Sequence, residues 1–224
     1  MLALKNVSQF SESHFNDDSL FALIAEGIEN KGYTILPATF PETLTDKLFI
    51  HQQQMEADKF ENAGIGRGNE YLKNEFVRTD AISWITGETD AGKDWLNWVS
   101  GLQSYLNRRL FLGLFSFESH FAHYSPGDYY KRHYDAFKGE SNRVLSLIVY
   151  FNSHWLASDG GELVLYQNQY DQVGTKVVPL MGTIVAFLSE EFPHEVLSAN
   201  RNRYSIAGWF RVNTSVSDRV DPPR

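Results

Sequence analysis

Residues 112–152 read LGLFSFESHFAHYSPGDYYKRHYDAFKGESNRVLSLIVYFN, and the architecture turns on this stretch. Short runs rich in Phe, Val, Ile and Tyr are broken at Ser125-Pro126-Gly127. The same texture continues to the C-terminus, with further breaks at Asp159-Gly160-Gly161 and Met181-Gly182. Such a density of short strands and turns predicts a β-sandwich or barrel.

Upstream the pattern changes to helix. Leu20, Leu23, Ile24 and Ile28 form one stripe, Asp17 to Ser19 offer caps, and Gly32 stands where a helix from about Ser19 to Lys31 would end. Tyr33 to Leu36 reads as a strand stopped by Pro37. A second helix is expected from Pro41-Glu42, turning Leu44, Leu48 and Met55 inward. The glycines of Gly64-Ile-Gly-Arg-Gly68 do not link a strand to a helix, so they predict a mobile loop and not a phosphate cradle. Residues 75–85 look extended. A third helix over Asp90–Leu110 places Trp95, Val99, Leu102 and Leu106 on one face. No repeat or linker interrupts the chain, so the expectation is one α+β, mainly β domain over residues 1–224. Helices within 1–110 would buttress a β core over about 111–212.

Bulk properties narrow the function classes. Net charge is −8 and no basic run exceeds a pair, which argues against a nucleic-acid partner. There are no cysteines, so any metal must be held by His and carboxylates. No signal-peptide pattern and no apolar run near the ~20 residues of a bilayer span is visible, so the expected location is cytoplasmic. Aromatic residues reach 14%, enough ring surface for a packed β core or a rigid-walled cavity.

His133-Tyr134-Asp135 carries the chemistry. On extended backbone, residues two apart face the same side, so His133 and Asp135 can meet one ion. His194, in Phe192-Pro-His-Glu195, is the candidate third ligand. Two imidazoles and one carboxylate leave three octahedral positions open. That suits iron(II) oxygen chemistry, although manganese, cobalt or zinc could bind the same ligands. Nine residues further lies Arg203. Glu195 to Ser198, a turn at 199–202 and Arg203 to Phe210 read as a hairpin that would bring Arg203 beside His194. Arg203, Ser205, Ala207 and Trp209 would then share a face. An inward Arg in an apolar strand calls for a carboxylate, either from a core Asp or Glu or from a bound dicarboxylic acid.

These phrases resemble the 2-oxoglutarate oxygenase superfamily, and within it the prolyl 4-hydroxylase branch of oxygen-sensing prolyl hydroxylases and their bacterial relatives. The resemblance rests on Ala122-His-Tyr-Ser-Pro-Gly127, His133-Tyr-Asp135, Leu147-Ile-Val-Tyr-Phe-Asn152, Asp159-Gly-Gly-Glu-Leu163, Pro193-His-Glu-Val196 and Arg203-Tyr-Ser-Ile-Ala-Gly-Trp209, covering about residues 75–211. It implies a double-stranded β-helix (jelly-roll) core and an Fe(II) centre on His133, Asp135 and His194. It also implies 2-oxoglutarate and dioxygen as cosubstrates, with ascorbate as a candidate reductant. Arg203 would pair with the distal carboxylate of 2-oxoglutarate, supported by Tyr150, Tyr124 and Ser205. Val77-Arg78-Thr79-Asp80 through Trp84 resembles a substrate loop, so Arg78, Asp80 and Trp209 are expected to face substrate. Thr79 replaces the glycine usual there.

The expected activity is hydroxylation of a prolyl residue in a protein, with a translation factor or ribosomal protein as candidate partner. A hydroxylase of a free amino acid or small metabolite is the alternative within the same chemistry. A non-catalytic, cupin-like dicarboxylate-binding protein is the alternative outside it.

Overall fold

The computed structural model describes residues 17–55, 59–62, 77–136 and 142–213. The Gly64–Gly68 loop and the start of the extended run expected from residue 75 lie outside them. In chain order the elements are α1 (Asp17–Lys31), β1 (Tyr33–Leu36), α2 (Glu42–Gln54), β2 (Glu61–Asn62), β3 (Ala81–Trp84), α3 (Asp90–Leu110), β4 (Ser116–Tyr124), β5 (Tyr130–His133), β6 (Arg143–Tyr150), β7 (Leu163–Leu165), β8 (Thr175–Val177), β9 (Ile184–Leu188), β10 (His194–Val196) and β11 (Arg203–Arg211). The strands form a seven-stranded sheet, β1-β9-β6-β11-β4-β3-β2, and a four-stranded sheet, β5-β10-β7-β8. All pairings are antiparallel. This is the double-stranded β-helix expected from the sequence.

The larger sheet is buried on both faces, and period-two alternation sorts its residues. Along β6, Leu145, Leu147 and Val149 pack with the helices, while Ser146, Ile148 and Tyr150 line an inner cavity. Along β4, Phe117 and Phe121 face the helices; His120, Ala122 and Tyr124 face the cavity. Along β11, Ile206 and Phe210 face the helices; Arg203, Ser205, Ala207 and Trp209 face inward, as read from the sequence.

The helices supply the outer layer. On α3, Trp95, Val99, Leu102 and Leu106 are all buried, and the Trp95 indole N–H donates to Ser119 Oγ of β4 at 2.9 Å. Thr89 caps α3 by accepting from the Gly92 N–H at 3.0 Å. Gly32, at φ +76°, ends α1 with its N–H on the Ile28 carbonyl. On α2, Leu48 is buried, whereas Leu44 and Met55 are only partly so. Gln52 takes an inward position instead, donating to the Ala122 carbonyl at 3.1 Å.

One expectation fails. β10 and β11 do not form a hairpin: β10 pairs with β5 and β7 in the small sheet, and β11 pairs with β4 and β6 in the large one. The connection crosses between sheets, fastened by the Gly161 N–H on the Ser198 carbonyl and the Gly127 N–H on the Ala199 carbonyl. His194 and Arg203 therefore reach the cavity from opposite walls.

Because Leu102 is fully buried between α3 and the large sheet, Leu102→Ala should cost about 2–5 kcal/mol. Urea denaturation should show a lower midpoint with an unchanged slope.

Candidate metal centre and cosubstrate pocket

His133 and His194 face each other in register across β5 and β10. His133 Nε2 lies 3.6 Å from Asp135 Oδ1, and His194 Nε2 lies 3.7 Å from Asp135 Oδ2. These gaps are too long for hydrogen bonds and short enough for all three groups to reach one cation. The three ligand atoms lie within 4.8 Å of one another. Each imidazole places Nδ1 on a backbone carbonyl: His133 on Lys131 at 2.7 Å, His194 on Phe192 at 3.1 Å. A carbonyl only accepts, so Nδ1 carries the proton and the Nε2 lone pair is left for a metal.

Electrostatics favour the same state. Burial, and secondarily the neighbouring His133, lower the His194 pKa to about 4, so the ring is neutral near pH 7. Burial opposes ionisation of Asp135, but His194 and His133 outweigh it and hold the carboxyl well below the usual carboxylate range. Two neutral imidazoles and a carboxylate are the donor set that an Fe(II) site with open positions requires, so the residues fit the ion.

A bulge in β5 brings a further residue to this centre. His194 pairs with His133 and Val196 with Tyr130, so two residues of β10 span three of β5. The extra residue puts Tyr130 on the ligand side, where its ring stacks on His133 at 3.6 Å between centroids. Period-two reading places residues 130 and 133 on opposite faces, which is why Tyr130 was missed.

Deeper in the cavity sits Arg203, 2% exposed. Its Nε donates to the Gly161 carbonyl at 2.8 Å, and Nη1 lies 3.5 Å from Ser205 Oγ. No carboxylate pairs with it among the described residues, which removes the core ion pair as an explanation of the inward Arg. The rings of Tyr124 and Tyr150 lie 4.8 and 5.0 Å from the guanidinium carbon. Burial raises the pKa of both phenols, so both stay neutral and neither offsets the charge. Tyr150 Oη is buried with no hydrogen-bond partner among the described residues. A buried cation beside an unused hydroxyl is a receptor for an anion. Gly161, at φ +70°, allows this: a Cβ there would lie 2.8 Å from Ala199 Cβ and 3.2 Å from Arg203 Cδ. Its motif was read in the sequence; its carbonyl as the Arg203 anchor was not.

Arg78 and Asp80 form a two-pronged ion pair at 2.8 and 2.6 Å in the cavity wall, with Asp80 fully buried. This is not a surface hairpin pair. Burial opposes the Arg78 charge, yet the Asp80 contacts outweigh it and raise the pKa further. Arg78 lies over the Tyr130 ring at 4.4 Å, and Thr79 Oγ accepts from the Tyr129 N–H, tying the segment to β5. Trp209 stacks on His120 and carries Arg143 over its ring at 3.7 Å. His120 is buried packing on the cavity wall and is not in the three-ligand cluster; burial first, then Arg78 and Arg143, lower its pKa to about 3. His154 is exposed.

Residues 119–211 match the 2OG-Fe(II) oxygenase superfamily. The structure is similar to a prolyl-4-hydroxylase from Pseudomonas putida, with 35% identity and a TM-score of 0.76 over 86% of this chain and 98% of that one. A Trichoplax adhaerens prolyl hydroxylase, solved with a hypoxia inducible factor peptide fragment, matches at 25% identity and TM-score 0.74 over 87% and 90% of the two chains. The viral collagen prolyl hydroxylase of Paramecium bursaria Chlorella virus-1 shares the fold at 18% identity and TM-score 0.57, covering 82% and 98%. The chain belongs to the 2OG-Fe(II) oxygenase superfamily, in its prolyl 4-hydroxylase branch. It is a 2-oxoglutarate-dependent dioxygenase, with Fe(II), 2-oxoglutarate and dioxygen as the family's metal and cosubstrates.

The metal-free protein should lose stability in mild acid. His194 and His120 both titrate below the free imidazole value of 6.5 when folded, so the unfolded chain takes up more protons as pH falls below 6.5. Stability is complete above that point and declines toward pH 4, by roughly 1.4 kcal/mol per pH unit for each group. Urea midpoints across this range check it, and a flat profile would contradict it.

Proposed function

We propose that this enzyme hydroxylates a prolyl residue within a protein chain, coupling the reaction to conversion of 2-oxoglutarate to succinate and carbon dioxide. The observation that carries the reading is the buried guanidinium of Arg203, which meets no carboxylate among the described residues and shares one cavity with the three-ligand cluster. His133, Asp135 and His194 hold Fe(II), which supplies the activation of dioxygen when bound. Arg203 receives the distal carboxylate of 2-oxoglutarate, Tyr150 and Tyr124 donate hydroxyls toward it, and Ser205 keeps the guanidinium oriented.

On the substrate side stand Arg78, Asp80 and Trp209. The buried Arg78–Asp80 pair makes a wall that positions a chain segment, and Trp209, packed against His120 and Arg143, continues that wall along the cavity. Similarity to the Pseudomonas putida enzyme over nearly its whole length supports prolyl substrate, and the peptide in the Trichoplax adhaerens structure supports a protein one. A translation factor or ribosomal protein in the cytoplasm is the partner we assign, with ascorbate as the reductant that restores Fe(II).

Arg203→Ala should raise the 2-oxoglutarate requirement roughly ten- to hundred-fold, because a charge-assisted pair contributes ~1.5–3 kcal/mol. Succinate formation against 2-oxoglutarate concentration measures this, and an unchanged requirement would place the carboxylate elsewhere. Lysate treated with enzyme should yield a protein gaining one oxygen atom on proline, dependent on 2-oxoglutarate, by peptide mass spectrometry. Oxygen gained only by a free amino acid or metabolite would overturn the protein-substrate reading.

A further inference from the structure

Ser146 and Ser189 lie outside the ligand set, yet both hydroxyls are committed to it. Ser146 is on the cavity face of β6 and pairs in register with Phe187 of β9. Ser189 follows two residues after Phe187. Its backbone N–H donates to the Val144 carbonyl at 3.0 Å, so the pairing runs past the end of β9 and holds the two serines together. Ser146 Oγ lies 2.6 Å from Asp135 Oδ2 and 2.9 Å from Ser189 Oγ. Neither serine is more than 1% exposed. A hydroxyl buried so deeply is costly unless it is bonded.

The direction of the chain follows from its chemistry. A carboxylate able to ligate a cation is ionised and only accepts, so Ser146 spends its one hydrogen on Asp135. Ser189 must then donate to Ser146. Each hydroxyl polarises the next, which strengthens the terminal bond to the carboxylate.

An aspartate can meet a cation through one oxygen or both. Two-oxygen ligation would take one of the three positions that the ligand set leaves open. We infer that Ser146, backed by Ser189, is a positioning pair that restrains Asp135 Oδ2 and holds the carboxylate to one-oxygen ligation. This keeps room for both metal-binding oxygens of 2-oxoglutarate and for dioxygen. The inference rests on the metal-centre reading above.

Metal-free wild type, Ser146→Ala, Ser146→Thr and Ser189→Ala are to be titrated with Mn(II) alone. Ser146→Ala should weaken Mn(II) binding roughly ten- to hundred-fold, the usual loss when a group supporting a ligand is removed. Ser146→Thr, which keeps the hydroxyl, should restore most of it, and Ser189→Ala should fall between. Water-proton relaxation per bound Mn(II) should drop by about one third in Ser146→Ala, as the second carboxylate oxygen takes one of three open positions. A loss of stability alone would not move that readout. Unchanged affinity, or weaker binding with unchanged relaxation, would overturn the inference. If Ser146→Ala does not fold, Ser189→Ala decides by the same two measurements. A wild-type protein that binds no Mn(II) would remove the metal-centre reading itself, and the inference with it.

Discussion

A guanidinium buried without a counter-charge is among the most expensive things a fold can contain, and among the described residues none neutralises Arg203. Its Nε bond to the Gly161 carbonyl fixes its direction without neutralising it. The neighbouring phenols of Tyr124 and Tyr150 keep their protons, so the charge stays open toward the cavity. Much of the surrounding structure is arranged to tolerate this. Gly161 brings its carbonyl close enough to hold the side chain. The helices carry the apolar burden on the opposite face.

That division of labour explains how a chain this rich in apolar strands can enclose a polar site. The outer face of the large sheet is closed by α1, α2 and α3 with Leu, Trp and Phe side chains. The inner face needs to be only half apolar, because the small sheet and a bound diacid complete it. Val185 and Phe187 fill it away from the cavity, while Ser146, Ile148, Tyr150 and Arg203 line the cavity itself.

The helices were legible from their apolar stripes, with Gly32 marking the end of α1 and Pro41-Glu42 the start of α2. His133 and Asp135 were legible because their two-residue spacing at the end of β5 turns both side chains to one side, and His194 was legible only as the candidate third ligand in Phe192-Pro-His-Glu195. The partner strand of β11 was not. Apolar alternation says which face a residue takes but not which sheet its strand joins, so a six-residue connection that crosses between sheets looks like a hairpin turn. The same limit hid Tyr130, and the roles of Ser146 and Ser189 depend on cross-strand register that spacing along one strand cannot reveal. For Arg78 and Asp80 the sequence showed the pair but not its burial.

The surplus residue between Tyr130 and His133 carries one more implication. Substitution along β5 changes a side chain, but deleting the surplus residue would leave the aromatic plate and the histidine two positions apart, the spacing at which a regular ladder keeps both on one face. This short stretch should thus accept chemical variety at the exposed Lys131 and tolerate loss of its surplus residue, a rule for anyone who shortens, grafts or redesigns it.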